Sequence, residues 1–515
     1  MTTTTKNLIL LAFVALKFLI QYFLRSADYD LHSDELLYLD QANHLAWGYF
    51  SVPPFISWTS YLIHALGGFL FWIKFFPTLF GALTIVVVWK AVEELGGNLF
   101  ALILSATGVL FSSLLLLNLY YQPNSFDVLC WTTFYFIIIK YFKTNNIKWI
   151  YIAAIVFALG FLNKYNIAFL IIGFLPAILI TQQRKLFTKK ELYFAIILGL
   201  LLIFPNLLWQ YNNDFPFIQH LNELKTSQLD NVSRLDFIKF QVLFFVGALF
   251  VIFSALYALL FYKPFEKYKT FFWVMVFTLF LFIYFRANSY YAMGLYPIYI
   301  AFGAVFLGNI LIKSWGKYLQ GIFILLPILF FIPVYNVVIF TNKTPEEFVR
   351  KIQKYQNSDL LRRENGNAHP LYQDFEVMLG WTALAAKVDS ICSELPKPDN
   401  IFILCDDYGQ SGAINYYTKN KKIVAHSFHE TTIDWIPVDK PISDVVLVKS
   451  PYDRDRNRTK EAPLFDTVYL AGKRINQYAR EDTIFIYVLR NAKVDVNEII
   501  KDEISKKGIT TLVIP

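Results

Sequence analysis

The residues best suited to chemistry are a few charged side chains set at the ends of apolar stretches. Asp34 and Glu35 follow the first such stretch, and Asp127 stands just after Pro123-Asn124-Ser125-Phe126. Lys164 and Arg286 also sit between or at the ends of apolar runs. A carboxylate within hydrogen-bond reach of an acceptor hydroxyl can take its proton. Lysine and arginine can hold a phosphate through charge-assisted hydrogen bonds. Each residue also has a plainer reading. Asp34 and Asp127 suit the first turn of a helix, where the dipole favours an acid with no further role. Lys164 and Arg286 could reach out to lipid head groups. Taken together, acids and cations at one membrane face fit attack on a lipid-linked phosphate ester. One carboxylate would act as base, and the cations would stabilise a departing phosphate that needs no proton of its own.

These residues must be positioned by membrane-spanning helices. The chain of 515 residues is 56% hydrophobic and 18% aromatic, with only 17% charged residues. A soluble domain carries about 25% charged residues, so the composition points to a multi-pass membrane protein. The formal charge of +8 falls mostly between apolar runs, where it sets topology rather than marking a nucleic-acid binder. Apolar runs predict spans at 7–24, 69–90, 98–117, 126–142, 149–162, 166–181, 192–209, 237–262, 270–286, 291–312 and 319–340, about eleven in all. The pair 149–162 and 166–181 could instead be one broken helix. The first run is read as an uncleaved helix, not a signal peptide, because no small-x-small site precedes Asp28. With the N-terminus inside, Lys140, Lys143, Lys148, Lys185, Lys189, Lys190, Lys263 and Lys267 all fall on the inner side, as the positive-inside rule requires. An odd count then places residues 341–515 outside.

The resulting architecture is a transmembrane domain over residues 1–340 and a soluble α/β domain over 341–515. The first outer loop, 25–68, carries Leu36, Leu39, Ala42 and Ala46 at helical spacing within 35–47, which predicts an amphipathic helix in the membrane interface. In the tail, 400–404, 444–448, 484–488 and 511–514 read as strands and 380–395 as a helix. Cys392 and Cys405 could pair in an oxidising compartment, or remain buried free thiols.

Several segments resemble one family in order along the chain. They are His32-Ser33-Asp34-Glu35-Leu36-Leu37-Tyr38-Leu39 with His44-Leu45-Ala46-Trp47-Gly48-Tyr49 and Pro53-Pro54, then Gln122-Pro123-Asn124-Ser125-Phe126-Asp127 and Leu162-Asn163-Lys164-Tyr165. Tyr290-Tyr291, Tyr296-Pro297 and Tyr408-Gly409-Gln410-Ser411-Gly412-Ala413-Ile414 complete the set. The series is similar to bacterial GT-C glycosyltransferases, the relatives of protein O-mannosyltransferases and lipid A aminoarabinose transferases. The resemblance implies an inverting transfer from a polyprenyl-phosphate sugar to an acceptor hydroxyl on a lipid, protein or glycan. The site would lie at the outer face of a bacterial cytoplasmic membrane.

Carried over by position, Asp34 matches the loop acid expected to act as base, Glu35 its neighbour and Asp127 the second acid. Lys164 falls where a donor-phosphate lysine would. Arg286, Asn124, Tyr290 and Tyr291 join it as substrate-binding candidates, and His44 as a residue that could orient an acid or simply face water. Some members use a divalent metal near these acids. No His/Cys cluster with ligand spacing occurs here, which leaves the metal open. Tyr408 to Gly412 sits where a phosphate loop could, but it lacks the lysine and full glycine pattern, favouring a plain strand–helix turn. The competing functional class is a lipid-linked saccharide flippase or polysaccharide transporter. That class predicts internal repeats and midplane polar residues, whereas the polar residues here gather at one face.

Overall fold

The computed structural model describes residues 2–227, 229, 232–312, 316–338, 343–352, 361, 369–396 and 401–507. α1 (Thr3–Phe23) is followed by two helices of the first loop, α2 (Ser33–Asp40) and α3 (Phe55–Ala65). The bundle continues through α4 (Leu70–Glu94), α5 (Leu99–Leu110), α6 (Leu114–Leu117), α7 (Asn124–Thr144), α8 (Lys148–Phe161) and α9 (Ile167–Leu179). α10 (Lys190–Asn212), α11 (Pro216–Ser227), α12 (Arg234–Phe244), α13 (Leu249–Phe261), α14 (Lys269–Tyr284), α15 (Tyr296–Ile310) and α16 (Gly316–Val338) complete it.

Every predicted span falls on a helix, but not every helix is long enough to cross. Among the described residues, seven helices qualify by length and composition, and up to nine if each bent pair is one span. The bent pairs are α9 with Gln182–Thr188, turned by 107°, and α12 with Val246–Phe261, turned by 69°. α5 and α8 account for the shortfall from the expected eleven. With 12 and 14 residues they extend about 18 and 21 Å at 1.5 Å per residue, against a hydrocarbon layer of about 30 Å. α8 packs against α7 and α10 while α9 packs against α14, so 149–162 and 166–181 form two separate helices.

The C-terminal part comprises α17 (Pro345–Ile352), α18 (Gln373–Glu376), α19 (Trp381–Ser393), β1 (Ile401–Cys405), α20 (Tyr408–Tyr417), β2 (Ala425–Ser427), β3 (Asp444–Lys449), β4 (Phe465–Ile475), β5 (Thr483–Ala492) and α21 (Val496–Lys507). The strands make one mixed sheet in the order β2-β1-β3-β5-β4. β1 runs parallel to β2 and β3, and β5 runs antiparallel to β3 and β4. β2 and β4 were not expected, and the strand expected at 511–514 lies outside the described residues, as does the expected domain boundary at 340/341. Alternation along β3 sends Val446 and Val448 to one face and Val445 and Leu447 to the other, as a strand buried on both sides requires. Cys130, Cys392 and Cys405 are all buried and unbridged.

The first loop and the sheet domain share a core. Leu31, Leu36 and Leu37 pack in one cluster with Trp381, Ala413, Val446 and Ile486. Asp30 accepts the Trp381 backbone N–H at 2.7 Å, and the Leu31 N–H donates to the Tyr417 hydroxyl at 2.9 Å. Both therefore lie at the same end of the bundle. At the opposite end of α4, Glu94 binds Lys140 and Lys143 at 3.1 and 2.9 Å. α2 departs from its expected form. It ends at Asp40 rather than running to Trp47, and it is buried beneath α20 instead of lying in the membrane interface. The reason is close helix contact. A Cβ on Gly412 would stand 3.0 Å from the Leu36 Cβ, and one on Gly409 3.0 Å from the Ser33 Cβ.

Candidate active site

α2 begins with a reciprocal cap that fixes both of its acids. The His32 Nδ1 accepts the Asp34 backbone N–H at 3.1 Å, and the Glu35 carboxylate accepts the His32 N–H at 2.9 Å. This is the capping-box arrangement, with His32 at the N-cap. It turns the two neighbouring carboxylates to different sides. Glu35 is fully buried. It receives Lys74 Nζ at 2.5 Å and the Tyr121 N–H at 2.6 Å. Asp34 opens instead onto a cavity of about 2750 Å³ between the bundle and the sheet domain.

A line of hydrogen bonds runs along the bundle side of this cavity. Lys164 Nζ donates to Asn124 Oδ1 at 2.6 Å, Asn124 Nδ2 to Gln122 Oε1 at 2.9 Å, and Gln122 Nε2 to Asp34 Oδ2 at 3.1 Å. The ends dictate how the two amides face, because an ammonium only donates and a carboxylate only accepts. Lys164 is also 5.0 and 4.4 Å from the ring centroids of Tyr290 and Tyr291, whose faces favour a cation. Burial pushes the Lys164 ammonium down to about 8, and the Asp127 charge opposes that shift.

Asp34, Asn124, Lys164, Tyr290 and Tyr291 thus line one cavity. The other sequence candidates stand elsewhere. Asp127 lies buried behind the wall, accepting Trp131 Nε1 at 3.0 Å and Asn166 Nδ2 at 3.1 Å. Asn166 Nδ2 also donates to the Tyr291 carbonyl at 2.9 Å, so Asp127 steadies the tyrosine pair from behind. His44 stacks on Trp435 with centroids 4.3 Å apart and is not among the residues lining the cavity. Arg286 is exposed at the end of α14, in a left-handed backbone conformation with φ of 51°, and is not among the residues lining the cavity. A divalent cation needs several oxygens to converge, and these do not. Glu35 is taken up by Lys74, Asp127 faces Trp131 and Asn166, and both Asp34 oxygens receive neutral donors. Among the described residues no group of three or more His, Cys, Asp or Glu side chains is arranged to hold a metal.

The sheet domain adds residues not foreseen from the sequence. Tyr408 donates its hydroxyl to Asp34 Oδ1 at 2.9 Å. The 408–412 segment forms the first turns of α20, directly after β1, with Asp407 capping the helix through the Gly409 N–H. Asp407 Oδ2 also meets His429 Nδ1 at 3.1 Å. Burial pushes the Asp407 carboxyl up, but the His429 contact, the Gly409 N–H and the Arg480 charge together hold the group below its ordinary value. Burial lowers His429, but Asp407 together with the Glu430 and Glu223 charges more than offsets it, so the imidazole is raised. Glu430, pushed up to about 7 by burial against the opposing His429 charge, also lines the cavity. These residues follow β1 and β2, at the C-terminal ends of parallel strands. Ligand sites of open α/β sheets gather at such ends, and that rule was the available sequence signal.

Residues 51–209 match the family model described as dolichyl-phosphate-mannose-protein mannosyltransferase. The lipid A galacturonosyltransferase RgtD of Rhizobium johnstonii is 22% identical over 200 residues, 38% of this chain and 41% of that protein. The match therefore spans well under half of that relative's length. Two crystal structures of ArnT from Cupriavidus metallidurans share the fold. The apo state aligns with a TM-score of 0.60 at 15% identity, and the form bound to undecaprenyl phosphate with 0.59 at 14%. Each alignment covers 94% of this chain and 98% of that one. The chain thus shares its fold with ArnT, and its residues 51–209 are similar to the protein mannosyltransferases.

Proposed function

We propose that the chain transfers a sugar, with inversion at the anomeric carbon, from a polyprenyl-phosphate donor to an acceptor hydroxyl on a lipid, protein or glycan. The observation that carries this reading is the hydrogen-bonded line from Asp34 to Lys164, which sets an acid and a cation at fixed places on one cavity wall. Asp34 takes the acceptor's proton as its oxygen attacks the anomeric carbon. The bond from that carbon to the phosphate oxygen breaks on the opposite side. The electron pair leaves with the polyprenyl phosphate, whose growing charge Lys164 meets. Tyr290 and Tyr291 hold the ammonium in place and offer ring faces to the sugar. ArnT was crystallised with undecaprenyl phosphate, which supports a donor of this lipid class. In our reading residues 1–340 form the transmembrane glycosyltransferase domain, with the N-terminus inside a bacterial cytoplasmic membrane. Residues 341–515 and the first loop lie outside. The Glu94–Lys140–Lys143 cluster at the opposite end of the bundle agrees with the positive-inside rule.

The test uses purified protein in detergent, radiolabelled short-chain polyprenyl-phospho-hexoses and -pentoses as donors, and membranes of a deletion strain as acceptor. Wild type should release polyprenyl phosphate and label the membranes with one donor of the set. Asp34→Asn should lower that rate about 10²–10⁴-fold, the usual loss when a general base is removed, without shifting thermal unfolding. Wild-type turnover by Asp34→Asn overturns the assignment of the base.

A further inference from the structure

The Tyr408–Gly412 segment and the docking of α20 on α2 are not used by the reaction as described so far, yet they meet at its base. Tyr408 is the first residue of α20 and its hydroxyl stands 2.9 Å from Asp34 Oδ1. The two helices can approach this closely because Gly409 and Gly412 face Ser33 and Leu36. Asp407 fixes the start of α20 through the Gly409 N–H at 2.6 Å. It also holds His429, whose ring lies against that of Tyr408 with centroids 5.2 Å apart. The phenol is thus clamped from below by the cap and on one face by an imidazole.

We infer that Tyr408 of the sheet domain is a positioning residue for Asp34. It fixes the orientation of the carboxylate through Oδ1 and leaves the remaining lone pairs to the cavity. The inference rests on Asp34 being the base. Its two fixed neighbours are both neutral donors, Tyr408 on Oδ1 and Gln122 on Oδ2. One belongs to the sheet domain and one to the bundle, so the base is oriented only when the two parts are docked. The other titratable groups facing Asp34 are His32, Tyr38, Asp374 and Glu430. His32 is at the start of the same helix and Tyr38 on its next turn. Asp374 is in α18, and Glu430 follows β2.

The experiment compares the rate–pH profiles of wild type, Tyr408→Phe and Tyr416→Phe in the assay above, with Asp34→Asn run alongside. Tyr408→Phe keeps the ring against His429 and removes only the donor. A hydrogen bond to the charged form favours that form. Its loss should therefore move the acid limb of kcat about one pH unit upward and lower kcat about tenfold, with the donor KM unchanged. Tyr416, on the same helix, donates to the Gly68 carbonyl at 3.1 Å, and Tyr416→Phe should leave the acid limb in place. If Tyr408→Phe does not fold, 3-fluorotyrosine at position 408 makes a stronger donor of nearly the same shape. It should move the limb downward. An unmoved limb with either replacement, while Asp34→Asn is inactive, overturns the role of Tyr408 and leaves the base standing. Wild-type turnover by Asp34→Asn removes both.

Discussion

The two faces of α2 carry adjacent carboxylates into opposite surroundings. On the bundle face, Glu35 meets a full positive charge and two backbone N–H groups, and no part of it reaches solvent. On the cavity face, Asp34 meets a phenol and an amide, and its side chain keeps about a third of its exposure. The same difference separates the two lysines. Lys74 is committed to Glu35 and the Leu119 carbonyl, whereas Lys164 is held by a neutral amide and two rings. A charge whose first neighbours are neutral remains available to a substrate. A charge already matched by its opposite fixes the fold. Net charge and spacing in the sequence could not distinguish these cases.

The comparison is open to direct attack, first on the bundle face. Lys74→Ala leaves Glu35 buried without its cation, and breaking such a pair from one side costs about 3–5 kcal/mol. Thermal unfolding in detergent should fall steeply, and the double change Lys74→Met with Glu35→Gln should recover much of the loss. An unchanged melting temperature for Lys74→Ala would return Glu35 to the list of reactive groups.

On the cavity face, Lys164→Ala should leave melting nearly unchanged and slow transfer. Loss of one hydrogen bond to a charged group costs about 1.5–3 kcal/mol, or roughly 10- to 150-fold. Lys164→Arg should restore part of the rate, since charge survives and only geometry changes. Arg286→Ala, away from the cavity, should stay close to wild type. Equal rates from wild type, Lys164→Ala and Lys164→Arg would end the phosphate assignment.

The smallest effect is expected at Glu430 and is confined to one pH window. Its carboxyl is raised from 4.5 to about 7 in the folded chain. Between those values the folded state holds a proton that the unfolded state has lost, so stability falls as pH rises across the window. Glu430→Gln removes this term. Wild type should therefore lose melting temperature relative to Glu430→Gln between about pH 4.5 and 7. His429 works in the same direction and His220 in the opposite one, and because the Glu430 charge helps raise His429, part of the His429 contribution disappears with it in Glu430→Gln. A constant difference between the two curves would mean that Glu430 ionises normally.

What the sequence conveyed follows from the range of the forces involved. Apolar runs located the helices, because burying backbone in lipid constrains every residue of a span. They could not count crossings, because α5 and α8 are apolar yet short. Lys164 stands out by its place at a helix end, and Asn124, Tyr290 and Tyr291 by the family resemblance alone. Asp127 matched the same pattern but faces Trp131 and Asn166, a matter of rotation about α7 that no spacing reveals. α2 was misread because α20, nearly four hundred residues away in sequence, covers the face expected to meet lipid. The Asp407–His429 pair was missed for the same reason, since its members lie on different loops of the sheet domain.

The hydrogen bond from Tyr408 to Asp34 joins residues 374 positions apart, and this separation has a bearing on biosynthesis. During synthesis Asp34 emerges early, and its partner arrives only after the rest of the bundle and the first strand of the sheet have been made. Until then α2 has an apolar face with nothing against it. Contacts this distant in sequence form late and slowly. A chain stalled or cut before residue 408 would expose Leu36 and Leu37 and leave its acid unaimed, a ready target for membrane quality control. In our reading the site becomes competent only once the sheet domain has been made and has docked on the first loop.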